Sequence, residues 1–167
     1  DLDNVARYNC SYLPVDDVKS FDEAIYILLC GTGVGFSVKP QYINKLPEVP
    51  DILFDSPTTI LIADSKAGWA KAYRQLIALL YSGEIPKYDT SKVRKAGERL
   101  KTFGGRASGP EPLEDLFRFT INKFRGASGR RLNSLEGHDI MCKIGEVVVV
   151  GGVRRSAMIS LSNLSDD

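Results

Sequence analysis

The 167-residue chain has one histidine, three cysteines and one tryptophan, and it carries no excess of either charge. Its 22 lysines and arginines stand against 21 aspartates and glutamates, a formal net charge of +1. So even a balance gives no reason to expect a protein that coats nucleic acid or a membrane, and any polyanion has to be met by a local cluster. Cys10, Cys30 and Cys142 are odd in number and form no C-x-x-C pair, and His138 is the only histidine. A disulfide framework and a zinc site are therefore both poor readings. No apolar run approaches the roughly 20 residues of a membrane span, and the opening DLDNVARYN lacks a charged-then-apolar signal pattern. These absences point to a soluble, cytoplasmic protein. Apolar mass is not lacking: at 43% over about one domain's length it supports a packed core and sets wholesale disorder aside. The chain opens at Asp1 without methionine and closes at Leu164-Ser165-Asp166-Asp167 without a linker-like stretch, so we expect a piece of a longer protein.

Periodicity supplies the elements. Ser20 and Glu23 have the spacing of a capping box, and Phe21, Ala24, Ile25, Leu28 and Leu29 recur as one helical face that stops at Gly31. Val34, Phe36 and Val38 alternate as a half-buried strand until Pro40. Prolines then accumulate from Gln41 to Ser56, residues 58–62 read as a strand, and Trp69, Ala72, Tyr73, Leu76, Ile77 and Leu80 mark a helix closing at Gly83. Lys87 to Thr102 is polar and basic. Ser108 and Glu111 repeat the capping spacing ahead of Leu113, Leu116, Phe117, Thr120, Ile121 and Phe124, the most strongly marked helix. Asn133 and Glu136 suggest another helix start, with residues 147–150 readable as helix or buried strand. Ala157, Ile159 and Leu161 alternate as a last strand after Gly151-Gly152. Helices alternating with strands favour an α/β layer with largely parallel strands.

Three glycine-bearing blocks are candidates for chemistry. Gly31-Thr32-Gly33-Val34-Gly35 lies between a helix and a strand, the reverse of the dinucleotide fingerprint, so the Rossmann reading fails. Its bare backbone would admit a ligand closely, and a helix stop with a tight turn is the plainer alternative. Gly104 to Pro110 opens a helix, where free amides and Arg106 suit a phosphate as well as they suit an ordinary helix start. Gly151-Gly152-Val153-Arg154-Arg155-Ser156 carries adjacent guanidinium groups that would face opposite sides of a strand, or simply solvent. Cys30 and Cys142 fall in apolar helical patterns and read as small buried hydrophobes, whereas Cys10, in Asn9-Cys10-Ser11-Tyr12, is the candidate for exposed thiol chemistry. His138 reads as a surface or capping residue, and Asp16 and Asp17 as helix caps or as acceptors for sugar hydroxyls.

Asn9-Cys10, the block from Cys30 to Ser37, the block from Phe103 to Leu113 and the block from Val150 to Ala157 together resemble one family in order and spacing, the adenosylcobalamin-dependent ribonucleoside-triphosphate reductases. The resemblance implies a portion of a ten-stranded α/β barrel, with residues 41–101 as an insertion near the effector site. It implies that Cys10 is one of two cysteines that reduce the substrate and end as a disulfide. Asn9, Gly31, Thr32, Gly33, Gly35, Arg154 and Arg155 would bind the ribonucleoside triphosphate, and Asp17, Lys39 and Arg106 a deoxynucleoside triphosphate effector. The family uses adenosylcobalamin to raise a thiyl radical and a thioredoxin-like dithiol to restore the cysteine pair, and neither nucleic acid nor membrane is an expected partner. The resemblance places the family's radical-bearing cysteine, the glutamate two residues beyond it and the second cysteine of the reducing pair in a later part of the barrel, and Cys142 is not their counterpart, since Ile140-Met141-Cys142-Lys143 has no Pro-Cys-x-Glu pattern. The 167 residues alone are therefore expected to be inactive, and an incomplete barrel to expose strand edges and dissolve poorly. A reductase large subunit of another class, or a nucleotide-binding regulatory module without redox chemistry, are the alternative readings.

Overall fold

The computed structural model describes residues 10–31, 33–98, 109–150 and 158–160. Two strand-helix-strand units organise them. In the first, β1 (Cys10–Pro14) leads through α1 (Lys19–Leu29) to β2 (Gly33–Ser37), which pairs with β1 in parallel. A short helix α2 (Pro40–Ile43) follows. In the second unit, β3 (Phe54–Leu61), α3 (Lys66–Tyr81) and β4 (Glu84–Asp89) repeat the arrangement, again with parallel strands. Helices α4 (Glu111–Gly126) and α5 (Ser134–Val150) come next, and β5 (Met158–Ser160) returns to the first sheet beside β2. The described strands thus make one three-stranded sheet, β1-β2-β5, and one two-stranded sheet, β3-β4.

Helices α1, α3, α4 and α5 pack in a ring, α1 on α3, α3 on α4, α4 on α5 and α5 on α1. Each offers a stripe spaced by three and four residues: Phe21, Ala24, Ile25 and Leu28 on α1, Ala72, Tyr73, Leu76 and Leu80 on α3, and Leu113, Leu116, Phe117 and Phe124 on α4, all buried. Edge-on aromatic contacts lock the stripes together, Tyr88 to Phe117 at 5.1 Å and Tyr81 to Phe124 at 5.0 Å between ring centroids. Among the described residues no helix is long and apolar enough to cross a membrane.

Local chemistry sets the element ends, and it corrects several expectations. Ser20 is not a helix cap: it lies inside α1, and its hydroxyl donates to the Pro14 carbonyl at 3.2 Å. The Asp17 carboxylate instead accepts the Lys19 N–H at 2.9 Å. Glu111 is the first residue of α4 rather than its third, and the Ser108 half of that spacing lies outside the described residues. The Asn133 and Glu136 pair does form the reciprocal box, with Glu136 N–H donating to Asn133 Oδ1 at 2.8 Å and Asn133 N–H to Glu136 Oε1 at 2.9 Å. Residues 147–150 are helical, the end of α5. Strand β4 arises where a polar stretch was expected to begin, because Ile85 and Pro86 are buried against the core while the sheet pairing satisfies the backbone. Strand β1 likewise forms where the periodicity marks no element. The ten-stranded barrel is not observed: the described residues hold five strands in two sheets.

Strand β3 runs longer than its apolar core because Pro57 is absorbed by a register shift between Asp55 and Thr59. Buried Ser56 accepts the Thr58 N–H at 3.1 Å and donates to Glu84 Oε1 at 2.7 Å, tying the shift to β4.

Two outcomes follow from this packing. Leu76→Ala, at a site with no exposed surface, should cost about 2–5 kcal/mol. Leu135→Ala, 67% exposed on α5, should change stability by no more than about 0.5 kcal/mol; urea midpoints compare the two. The Glu136 carboxyl is held below the usual carboxylate range, first by the two Arg130 hydrogen bonds at 2.7 and 2.9 Å. A lowered folded-state value gives stabilisation that is complete above the unfolded value near pH 4.3 and lost as pH falls through the folded one, so Glu136→Gln should flatten the acid limb of the stability profile below about pH 4.3.

Candidate functional site

The two ends of the β1/β2 pair separate the candidate residues. At the N-terminal end Cys10 is the register partner of Gly33, and Tyr12 of Gly35. Gly31 precedes them, with φ +86°, and its N–H donates to the Leu28 carbonyl at 3.0 Å while Cys30 N–H reaches the Tyr26 carbonyl. The left-handed residue ends α1 and turns the chain straight into β2. Along β2, Val34 and Phe36 are buried toward the helices, so Gly33 and Gly35 fall on the opposite face. That face has no Cβ at either glycine, with Gly33 buried and Gly35 half-buried. At the other end, Pro14 pairs with Ser37, and Asp17 and Lys39 follow their strands there. Five-residue strands at about 3.3 Å per residue set the two groups roughly 13 Å apart. Asp17 is exposed and its carboxylate accepts the Lys19 N–H, while Lys39 is half-buried and its carbonyl accepts the Tyr42 and Ile43 N–H groups that open α2.

Asn9, Thr32, Arg106, Arg154 and Arg155 lie outside the described residues. Two further expectations change. Cys30 and Cys142 are exposed rather than buried: Cys30 sits at the end of α1, past the last core contact, and Cys142 on the flank of α5. Partial burial still pushes the Cys142 thiol up, and its sulfur lies 3.7 Å from His138 Nε2. His138 is half-buried against Phe36, with ring centroids 5.8 Å apart, instead of standing free on the surface. Among the described residues no group of three His, Cys, Asp or Glu is placed to hold a metal ion.

A polar seam inside the helix ring had no counterpart among the candidates. Tyr73 on α3 is fully buried, and its hydroxyl shares a 2.9 Å hydrogen bond with Thr120 on α4. Asp22 on α1 is buried beside it and meets Arg74 of α3, with Nε at 3.0 Å and Nη2 at 2.9 Å from the same oxygen, Oδ2. Burial pushes the Asp22 carboxyl up, against the pull of Arg74. Asp22 Oδ1 and the Tyr81 hydroxyl are buried without hydrogen-bond partners. The signal in the sequence is a carboxylate placed between Phe21 and Ile25 on an apolar face; nothing marks Arg74 as its partner.

Residues 41–124 match the family described as B12-dependent ribonucleotide reductase, insertion domain. An adenosylcobalamin-dependent ribonucleoside-triphosphate reductase of Euglena gracilis is 32% identical over 162 residues, covering 95% of this chain and 22% of the relative. One from Lactobacillus helveticus is 30% identical over 175 residues, covering 81% and 24%. The chain spans 17% to 26% of the length of the curated relatives it matches. The crystal structure of a B12-dependent (class II) ribonucleotide reductase superposes with a TM-score of 0.78 at 23% identity, covering 99% of this chain and 31% of that one, a likeness of fold.

The geometry at the glycine turn makes a direct contrast testable. Gly31→Ala, at φ +86°, should destabilise by about 1–2 kcal/mol because a Cβ there meets the carbonyl. Gly126→Ala, with nothing within 4 Å of the added carbon, should be neutral or stabilise by up to about 1 kcal/mol. Denaturant midpoints of the two variants separate a strained turn from an ordinary helical glycine.

Proposed function

The chain belongs to the B12-dependent ribonucleotide reductase family, and from that premise we propose that it is part of an enzyme that reduces ribonucleoside triphosphates to 2′-deoxyribonucleoside triphosphates. The observation that carries this reading is the register of β1 on β2, which sets Cys10 beside Gly33 at the edge of a glycine face. In this reading the substrate ribose lies along the glycine strand, beside the position of Cys10. Cys10 is then one of two cysteines that supply two electrons and two protons. The 2′-hydroxyl leaves as water, hydrogen takes its place on the ribose, and the thiols join as a disulfide that a thioredoxin-like dithiol in the cytoplasm reduces again.

In the same reading Asn9, Gly31, Thr32, Gly33 and Gly35 hold the substrate through backbone and amide groups, and Arg154 and Arg155 reach it from the segment that leads into β5. Asp17 and Lys39, at the other end of the strands, receive a deoxynucleoside triphosphate together with Arg106, since a carboxylate suits ribose hydroxyls and cations suit phosphate. Residues 41–101 form the insertion beside that effector. The hollow of about 330 Å³ bounded by Thr59, Leu61, Gly68, Lys71 and Gln75 is too small to enclose a corrinoid macrocycle. When bound to the parent protein, adenosylcobalamin would supply the radical chemistry.

The test is an anaerobic assay of the full-length parent with a ribonucleoside triphosphate and a dithiol, with and without adenosylcobalamin. Cofactor-dependent deoxynucleotide formation that falls to about a single turnover or less in Cys10→Ser supports the reading. Saturable deoxynucleotide binding without product favours a regulatory binding module, and the isolated 167 residues are expected to form no product.

A further inference from the structure

Helix α1 touches both ends of the proposed site. At its N-terminus the Lys19 N–H donates to the Asp17 carboxylate, and its C-terminus is closed by Gly31. Eleven residues at about 1.5 Å each make it a strut of roughly 16 Å. Beside its apolar packing, this strut has one polar tie sideways, Asp22. Its side chain is 3% exposed, whereas Arg74, which clamps it from α3, is 59% exposed. Helix α3 lies wholly within residues 41–124, the stretch matched as an insertion domain, and α1 lies outside it.

The pair is a poor device for stability. Both guanidinium bonds go to Oδ2, and Oδ1 is buried with no partner. A buried carboxylate with one oxygen unsatisfied costs more than an apolar side chain of similar size, and the flanking Phe21 and Ile25, both fully buried, would accept one. The clamp does something an apolar contact cannot. Two donors converging on one buried oxygen hold α1 at a set distance from α3 in a way a sliding apolar contact does not.

We propose that Asp22 and Arg74 are a positioning pair that ties α1 to the insertion domain, so that effector occupancy at the Asp17 end is felt by substrate at the Gly31 to Gly35 end. The proposal deepens the reductase reading and rests on it. Neither residue touches substrate or effector; each acts through the placement of α1.

The experiment uses the full-length parent with adenosylcobalamin and a dithiol. Turnover and substrate KM are measured without effector and with each of dATP, dGTP, dCTP and dTTP, for the wild type, Arg74→Lys, Arg74→Gln, Asp22→Asn and the Asp22→Asn/Arg74→Gln double variant. We expect the best effector's stimulation to fall about fivefold or more in every single variant, mainly through KM, while effector-free kcat stays within about twofold. Arg74→Lys keeps the charge but loses the fork, so it should fail like Arg74→Gln. The double variant should be no worse than either single one, because one contact is lost in all three. Arg74 reaches solvent, so its variants carry the test if Asp22→Asn does not fold. Unchanged stimulation in folded Arg74 variants overturns the proposal, as do full rescue by lysine, single effects that simply add, or a wild type that turns over without responding to any effector. A wild type that forms no deoxynucleotide overturns the reductase reading and this inference with it.

Discussion

Parallel pairing of neighbouring strands is the constraint from which the rest of this structure follows. A chain leaving β1 at Pro14 must travel back along the whole strand before β2 can start beside Cys10, and α1 makes that return. The same requirement places α3 between β3 and β4. Each return helix must bury one face, and the two faces meet each other and those of α4 and α5. The ring of helices is thus the by-product of two strand pairs that run the same way. Chemistry is distributed accordingly: parallel strands collect all their starts at one end and all their finishes at the other, so residues adjacent to starts are kept apart from residues adjacent to finishes.

Inside the ring the apolar stripes are interrupted by Asp22, Tyr73 and Thr120 and, two turns further along α3, by Tyr81. The Tyr73 to Thr120 bond satisfies both hydroxyls, and Thr120 also donates to the Leu116 carbonyl at 2.8 Å, so that part of the seam is self-sufficient. The Asp22 part is not, since its charge depends on a side chain reaching in from solvent. Elsewhere in the described residues, polar ties across the fold run at its margins: Ser134 to the Val38 carbonyl at 2.6 Å, and Val49 N–H to the Arg130 carbonyl at 2.8 Å. These two hold loops to helix ends, whereas the seam, like the 2.9 Å ion pair of Lys123 on α4 with Asp139 on α5, holds helix to helix.

Helices α1, α3 and α4 were legible because a stripe such as Leu113, Leu116, Phe117, Ile121 and Phe124 has one physical solution, an amphipathic helix on a core. Strands β1 and β4 were not, because CSYLP and EIPKYD have too few alternating apolar positions to announce themselves; their partners make them strands. The exposure of Cys30 and Cys142 escaped a reading by pattern, since a residue at a helix end or on a stripe's flank shares the sequence neighbourhood of the core without sharing its burial. Of the candidate site, the glycine block and Cys10 could be singled out by residue type, but their adjacency across strands is set by pairing between residues more than 20 positions apart, Cys10 with Gly33. The Asp22 to Arg74 clamp, across 52 positions, lay further still from any local signal.

Pro57, lodged in the register shift of β3, lacks the N–H a further strand would need, and Asp55 stands exposed two residues before it. Growth of the two-stranded sheet beyond β3 is thereby discouraged at the level of the backbone, even though Phe54 and Leu61 leave greasy side chains in view, 53% and 64% exposed. The strand can present apolar surface without becoming a template for self-association, a separation of stickiness from polymerisation that a straight, proline-free edge would lack.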